Sequence, residues 1–473
     1  MVIQVIWIGS LVNFSSLWLR FVMSKSIKSS ALIFSAVVSL WLSASAQADW
    51  PRFRGPNGSG VSTSDAPVEF GESKNLAWKT ELPGRGISSP IVVGDRVFVT
   101  CYSGYGMGDN QGQIEDLKRH LVCVDRNSGK TLWTKTVKAK MPEDAYRPPG
   151  VTTHGYASNT PVSDGTHVFA FFGKSGVYAY DLDGNEVWNQ SVGHEPSYKG
   201  FGSAASPIVT DTQVIVNAAD ESLAIVWLDK KTGEVQHRAE ADGLGECWTT
   251  PVLVKNGDKS EIAISVIGEI WGLSNETGKL RWYADGVNSR NAQVSLIVDD
   301  GVVYATGEEA YAVRVDGKGD VSKSNTVWEG RIRSSYATPV LVNGHLFSVS
   351  GSVVECVNAT SGERVFQERL PSSASGGNDQ RGGGGGRGRG GFGGGRGGRG
   401  GADYASPVVA NGKIYSMTNS GSVHVIEAKP EFKVLASNDM SFDKSGFGAT
   451  PAISDDSLFL RSNSHLYCVK AKE

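Results

Sequence analysis

Residues 406–428 read SPVVANGKIYSMTNSGSVHVIEA, and this stretch decides the fold. A Ser-Pro pair opens it, short apolar or alternating runs follow, and Asn411-Gly412 separates the first two runs. Asn-Gly supplies the positive backbone angles that a two-residue hairpin turn needs. The stretch therefore predicts three short antiparallel strands, and residues 432–437 supply a fourth.

The same pattern recurs along the whole chain. A Ser-Pro or Thr-Pro pair followed by an apolar run occurs seven times, and an eighth copy has leucine in the proline position. The hydroxyl residues of the eight copies are Ser89, Thr160, Ser206, Thr250, Ser295, Thr338, Ser406 and Thr450. Five of the seven steps between them are 43 to 46 residues long, and the steps of 71 and 68 residues contain insertions. Four-stranded units at this period are typical of β-propeller blades.

The sequence thus predicts an all-β fold over residues 49–473, an eight-bladed β-propeller of four-stranded antiparallel blades. The last copy ends at 465–470 without a fourth strand. A lone match to the outer-strand pattern, Leu76-Ala77-Trp78-Lys79-Thr80, precedes the first copy. We therefore expect this N-terminal strand to complete the last blade and close the ring.

Residues 1–48 predict an export signal. After Met23, the alternative start of translation, come a short basic stretch, an apolar run at 31–42 and a small-residue site before Asp49. This order is that of a cleaved signal peptide, and a retained N-terminal anchor is the competing interpretation. No later apolar run is long enough to span a membrane. We therefore expect a periplasmic or secreted protein with no transmembrane segment in the mature chain.

Residues 376–401 hold 17 glycines and five arginines and predict a disordered Arg/Gly-rich loop between blades six and seven. Without this loop and the signal, 38 basic residues face 48 acidic ones, a net charge of −10. A protein this acidic is not expected to have nucleic acid as a partner.

The five cysteines include three at equivalent places in alternating apolar runs, which predicts buried structural thiols.

Residues 124–133, VDRNSGKTLW, resemble the tryptophan-docking repeat of the PQQ-like (quinoprotein-type) β-propellers. The opening DWPRFRGP at 49–56 is similar to the start of many exported bacterial members, among which is the propeller of the outer-membrane β-barrel assembly machinery. The resemblance covers nearly all of residues 49–473. It implies that the large residue of each outer strand docks between neighbouring blades, and it implies little about chemistry, because blade geometry hosts many functions.

The family suggests two classes of function. The resemblance to quinoprotein dehydrogenases implies pyrroloquinoline quinone (PQQ) beside calcium, with carboxylate and amide ligands, a catalytic aspartate and a disulfide between adjacent cysteines. This sequence has no adjacent cysteines and no C-x-x-C-H haem motif. PQQ and calcium are therefore the cofactors of the alternative interpretation only, and none is otherwise expected.

The other class is the non-catalytic scaffold. The assembly-machinery propeller is a lipoprotein, and its lipidation cysteine has no counterpart after residue 48 here. We therefore expect a general exported binding scaffold of the cell envelope, a monomer whose partners are envelope proteins or a small ligand. A propeller that binds carbohydrate or another small ligand is the further alternative.

Candidate binding residues cluster just before the repeated Ser/Thr-Pro pairs, where each inner strand begins. Aromatic and arginine side chains dominate binding hot spots, so these positions predict a recognition ring at the funnel mouth. The set is His154, Tyr156, Trp248, Arg290, Arg333, Tyr336, Tyr404 and Phe447. Packing between blades is the alternative role for them. No catalytic or metal-binding set is predicted, and the insertions at 103–119 and 138–155 are expected to roof one face.

Overall fold

The computed structural model describes residues 49–107, 112–148, 150–197, 199–290, 292–371 and 403–471. The predicted export signal and Arg/Gly-rich loop lie outside these residues. The strands form eight antiparallel sheets in a ring, so the predicted eight-bladed β-propeller is confirmed. No described helix is both long and apolar enough to cross a bilayer.

The first four blades follow one another along the chain, each running from its inner to its outer strand. Blade 1 contains Ile91–Val93, Arg96–Ser103, Lys118–Asp125 and Thr131–Lys138. Blade 2 contains Val162–Ser163, His167–Phe171, Val177–Asp181 and Glu186–Gln190. Blade 3 contains Ile208–Val209, Gln213–Ala218, Ala224–Asp229 and Val235–Glu240. Blade 4 contains Val252–Asn256, Lys259–Val266, Glu269–Ser274 and Leu280–Asp285, with Gly319–Asp320 added parallel at its outer edge.

The other four blades follow the same order. Blade 5 contains Ile297–Asp299, Val302–Arg314 and Thr326–Ile332. Its long strand folds back on itself and supplies both middle strands, because the Val315 N–H bonds to Gly301 O at the opposite end. Blade 6 contains Val340–Val342, His345–Ser350, Val353–Asn358 and Arg364–Arg369. Blade 7 contains Val408–Ala410, Lys413–Met417, Ser422–Glu427 and Val434–Asp439, with Val61–Ser62 parallel at its inner edge.

Blade 8 closes the ring as the sequence predicted. It combines Ala452–Ser454, Ser457–Arg461 and His465–Lys470 with the N-terminal strand Leu76–Glu81, which pairs antiparallel with His465–Lys470. The remaining elements are short connections: two four-residue helices, Ala219–Ser222 and Ser322–Asn325, and five 3-10 turns, Pro56–Gly58, Ile114–Asp116, Val151–Thr153, Gly173–Ser175 and Asp242–Leu244.

The repeated hydroxyl residues form a closed ring of hydrogen bonds around the axis. The backbone N–H of each one donates to the side-chain oxygen of the next, at 2.9 to 3.2 Å, from Ser89 to Thr160 and onward through all eight blades. Ser295 takes part although leucine follows it, because the bond needs the hydroxyl and not the proline. All eight side chains are buried, so each bond satisfies a donor that water does not reach.

Outer-strand tryptophans join each blade to the next. Trp78 of blade 8 donates its Nε1–H to Arg126 O of blade 1 at 2.8 Å, and its ring covers Gly129. The same contact recurs three more times, as Trp133 to Leu182 O, Trp188 to Lys230 O and Trp328 to Ala359 O. Docking of the large outer-strand residue between blades is thereby confirmed at these positions. All five cysteines are buried free thiols, and all but Cys247 lie in strands of the sheets, as a structural role requires.

Candidate functional site

Strand direction assigns the candidate residues to one face of the ring. Each outer strand ends where the connection to the next inner strand begins, so the residues that precede the Ser/Thr ring lie on a single face. We call it the mouth face. The hairpins between the second and third strands of each blade turn on the same face. Both insertions of blade 1 therefore lie there, as expected.

The structure brings the candidate residues together in small groups. Tyr336 and Tyr404 pack against each other with ring centroids 4.8 Å apart, and burial raises the pKa of Tyr404 to about 12. Trp248 packs edge-on against Phe201 at 5.5 Å. Phe447, by contrast, is 1% exposed and belongs to the hydrophobic core that blades 7, 8 and 1 share.

The other four candidates divide between the insertion and the exposed surface. His154 lies at the end of the second insertion and Tyr156 directly after it, and the Tyr156 hydroxyl donates to Asp144 O at 2.6 Å. His154 Nδ1 lies 2.6 Å from Ser158 Oγ, and burial lowers the pKa of this imidazole to about 4. Arg290 and Arg333 are exposed. Their side chains have no hydrogen-bond or ion-pair partner among the described residues.

A cavity of about 160 Å³ opens on the mouth face between blades 7, 8 and 1. We call it the mouth cavity, and its lining includes Arg85, Tyr102, Tyr146, His154, Tyr404 and Asn463. Two of the predicted residues, His154 and Tyr404, therefore share a site. The sequence reasoning missed the others because they lie outside the repeated positions.

A second group on the mouth face was not predicted at all. Four carboxylates, Glu143, Asp144, Asp220 and Glu221, lie close enough between blades 1, 2 and 3 to interact, and we call them the acidic cluster. Arg119 Nη2 pairs with Glu143 Oε2 at 2.6 Å, and Lys174 Nζ pairs with Asp144 Oδ2 at 3.0 Å. Two of the four carboxylates are thus neutralised by buried cations.

The other two carboxylates have no cation of their own. Asp220 accepts hydrogen bonds from Ser197 Oγ at 2.7 Å and from Trp248 Nε1 at 2.6 Å, yet burial raises its pKa to about 6. Glu221 is 1% exposed, and burial together with Asp220 raises its pKa well above the usual range. Only about 10 Å³ of space lies inside the cluster, roughly enough for one water molecule. The cluster can therefore store a proton, but it offers no room for a substrate.

The opposite end of the central channel is closed by the chain itself. Residues 50–60, which we call the plug, cross that face from blade 1 to blade 7. Arg52 Nη2 donates to Pro251 O at 3.1 Å, and Arg54 donates to Thr338 O and Pro339 O at 2.7 and 2.6 Å. Burial lowers the pKa of Arg54 to about 9, so it stays charged at neutral pH. The DWPRFRGP motif therefore has a structural role, and within the described part of the chain the plug lies across one end of the axis and leaves the mouth end open.

Comparison with known proteins identifies the family. A family sequence profile described as outer membrane protein assembly factor BamB matches residues 117–368. No curated protein matches the chain. Among solved structures, BamB from Moraxella catarrhalis is 13% identical with a TM-score of 0.54, over 84% of this chain and 98% of that one.

Two oxidoreductases are also structurally similar to this chain. A quinohemoprotein alcohol dehydrogenase from Comamonas testosteroni is 12% identical with a TM-score of 0.58, over 90% of this chain and 81% of that one. A europium-containing methanol dehydrogenase is 12% identical with a TM-score of 0.59, over 89% and 98%. Such identities show a common fold and no more. The family profile, however, spans more than half of the sequence, and this chain belongs to the PQQ-like β-propeller family described as outer membrane protein assembly factor BamB.

Proposed function

We propose that this protein is an exported, non-catalytic β-propeller that acts as a binding scaffold in the cell envelope. One observation carries the proposal: the plug crosses one end of the central channel, and the cavity that opens on the mouth face between blades 7, 8 and 1 has a volume of only about 160 Å³. Pockets that bind drug-sized ligands have volumes of roughly 300 Å³ or more. The broad mouth face, rather than a deep active site, is therefore the surface that this ring offers.

Neither the mouth cavity nor the acidic cluster fits PQQ with calcium. A tricyclic quinone needs more space than the mouth cavity offers, and calcium needs several oxygen ligands that converge on one point. Among the residues that the structure describes, no three His, Cys, Asp or Glu side chains are arranged to hold a metal ion. Glu143 and Asp144 of the acidic cluster are already paired with Arg119 and Lys174.

The family description supports a protein partner in the envelope. Arg290 and Arg333 are exposed on the mouth face. Tyr336 and Tyr404, which pack against each other, precede the inner strands of blades 6 and 7 on the same face. Arginine and tyrosine are enriched in the buried centre of protein–protein interfaces. The mouth face is therefore the surface on which we expect an envelope protein to dock.

A cofactor titration tests the non-catalytic half of the proposal. The mature chain is incubated with PQQ and calcium, and in parallel with PQQ and europium, and is then separated by gel filtration. We expect no quinone absorbance to travel with the protein. A stoichiometric quinone band in either sample would overturn the proposal in favour of a dehydrogenase.

Site-specific cross-linking in intact cells tests the scaffold half. A photoreactive residue is introduced at Arg290 or Arg333 on the mouth face, and at Leu132 or Val187, which are exposed apolar positions on outer strands. We expect one common cross-linked envelope protein from the two mouth positions and none of that product from the outer strands. Absence of any product from the mouth positions would contradict the proposed docking face.

A further inference from the structure

We propose that the mouth cavity binds a monosaccharide-sized sugar acid, whose carboxylate is held by Arg85. The site is separate from the protein-docking role proposed above, and either can fail without the other. Three observations carry it: the size of the cavity, the unpaired positive charge on its wall, and the mixture of tyrosine, amide and hydroxyl groups around it.

The volume selects a ligand with one six-membered ring. The mouth cavity measures about 160 Å³, and a cavity of about 150 Å³ is known to hold one benzene ring. A hydroxylated ring suits the lining better than an apolar one, because the lining includes Thr152, Thr153, His154 and Asn463. A pyranose has the right size and carries hydroxyl groups for these partners.

The charge selects an acid. Arg85 lines the cavity, and no carboxylate pairs with its guanidinium among the described residues. None of the lining residues is an aspartate or glutamate. Two nearby acids have other hydrogen-bond donors and form no ion pair with Arg85: Asp403 accepts the Asn419 N–H at 2.7 Å, and Asp443 accepts the Tyr467 hydroxyl at 2.6 Å.

A second buried cation lies directly behind the cavity wall. Arg461 is fully buried, donates to Ser88 O at 2.7 Å, and keeps its Nε and Nη2 without a partner in the described chain. Gly86 separates it from the cavity, because a Cβ at that position would lie 2.6 Å from Arg461 Nη2. Burial lowers the pKa of Arg461 to about 10, so it stays charged at neutral pH. Both arginines make the cavity attractive to an anion.

The remaining walls suit a sugar. Tyr102, Tyr146 and Tyr404 provide aromatic surface against which the apolar face of a pyranose can pack. The Asn419 side chain has no hydrogen-bond partner among the described residues, and its amide can both donate and accept. Such a mixture of aromatic surface with a few polar groups is typical of small-molecule sites.

The site is organised before any ligand arrives. The backbone of Arg85 exchanges two hydrogen bonds with Tyr102, at 2.9 and 2.8 Å. The Tyr102 hydroxyl donates to Gly106 O at 3.2 Å, and the Tyr146 N–H donates to the Tyr105 hydroxyl at 3.1 Å. The two insertions therefore hold the tyrosines in place, which lowers the entropic cost of binding.

Calorimetric titration of the mature protein tests the proposal. The probes are D-galacturonate and D-glucuronate, their neutral parents galactose and glucose, and inorganic phosphate. We expect at least one uronate to bind about tenfold or more tightly than its parent sugar, because a hydrogen-bonded charged pair contributes that much. Arg85→Ala should lose this preference, and Arg85→Lys should retain part of it, because lysine keeps the charge without the planar fork.

Arg331→Ala is the matched control, because it removes an exposed arginine on the outer strand of blade 5 that does not line the cavity. It should bind the uronate like the unaltered protein. Four outcomes would overturn the proposal: no uronate binding, equal binding of uronate and parent sugar, phosphate binding as tight as the uronate, or a preference that survives in Arg85→Ala. The melting temperature of each variant is measured first, so that loss of fold is not read as loss of binding.

Discussion

The backbone N–H of Thr450 donates to Ser89 Oγ at 3.1 Å, and this bond joins the last blade to the first. The two residues are 361 positions apart and are the last link in the ring of eight hydroxyls. Both are buried, so a missing partner could not be replaced freely by water. Closure of the ring therefore rests on the same contact that every other pair of neighbouring blades makes, together with the N-terminal strand.

Removal of the Ser89 hydroxyl should weaken this closure. Ser89→Ala leaves the Thr450 N–H buried and unpaired, which costs about 1–3 kcal/mol of the free energy of unfolding. Ser89→Thr should cost little, because threonine occupies the equivalent place in four other blades. Urea unfolding of the two variants measures the difference. Equal stability of both variants would mean that the bond contributes nothing to closure.

The docking of Trp78 onto Gly129 gives a second test of blade-to-blade packing. Gly129 has φ +72°, and a Cβ there would lie 2.6 Å from the Trp78 ring. Gly412 has the same φ of +72°, with nothing near the Cβ position. Gly412→Ala should therefore cost only the left-handed strain of about 1–2 kcal/mol. Gly129→Ala should cost about 3 kcal/mol or more, because the tryptophan must also move. A common value for both would show that docking adds nothing.

The repeat predicted the ring, its closure and the blade-to-blade tryptophans, because these contacts recur once per blade. Ser295 is an example. The sequence analysis includes it among the eight repeated hydroxyl residues although leucine follows it, and in the structure it makes the same two hydrogen bonds as the others. His154 and Tyr404 were placed at the funnel mouth by the same reasoning, and both line the mouth cavity.

The contacts that occur only once could not be predicted in this way. Arg54 bonds to backbone oxygens 284 and 285 residues away, and no sequence pattern marks a carbonyl as a partner. The acidic cluster combines an insertion with the short helix Ala219–Ser222, two places that depart from the repeat. Its one sequence signal was the occurrence of adjacent acids, Glu143-Asp144 and Asp220-Glu221, at both departures.

Loss of the Arg54 guanidinium should open the plug locally. Arg54→Met fills a similar volume, but it leaves Thr338 O and Pro339 O without their donor. The N–H of Val409 bonds to Gly60 O at the end of the plug, at 2.7 Å. We expect its hydrogen exchange to rise by about tenfold or more, since bonds to charged groups contribute at least that much. Mass-spectrometric exchange measures it. Arg333→Met is the control, and equal exchange in both variants would contradict a locking role for Arg54.

The acidic cluster should make both fluorescence and stability depend on pH. The pKa of Asp220 is raised to about 6 by burial, so the folded state binds this proton more tightly than the unfolded chain does. Protonated Asp220 therefore contributes to the free energy of unfolding below about pH 4. This contribution, about 3 kcal/mol at most, is lost as the pH rises to about 6. Asp220→Asn should remove this loss, so the difference in free energy of unfolding between variant and parent should grow from pH 4 to 6.

Trp248 reports the same titration directly, because its indole N–H donates to the Asp220 carboxylate at 2.6 Å. Its emission should change with a midpoint near pH 6. The change should be absent in Asp220→Asn, and it should also be absent in Trp248→Phe, which identifies the reporting indole among the twelve tryptophans of the chain. Burial and the charge of Asp220 raise the pKa of Glu221 well above its usual range, so Glu221→Gln, which imitates the neutral acid, should change the midpoint little. A midpoint that stays near pH 4 in the parent protein would show that Asp220 is solvated, and the buried cluster would then have to be rejected.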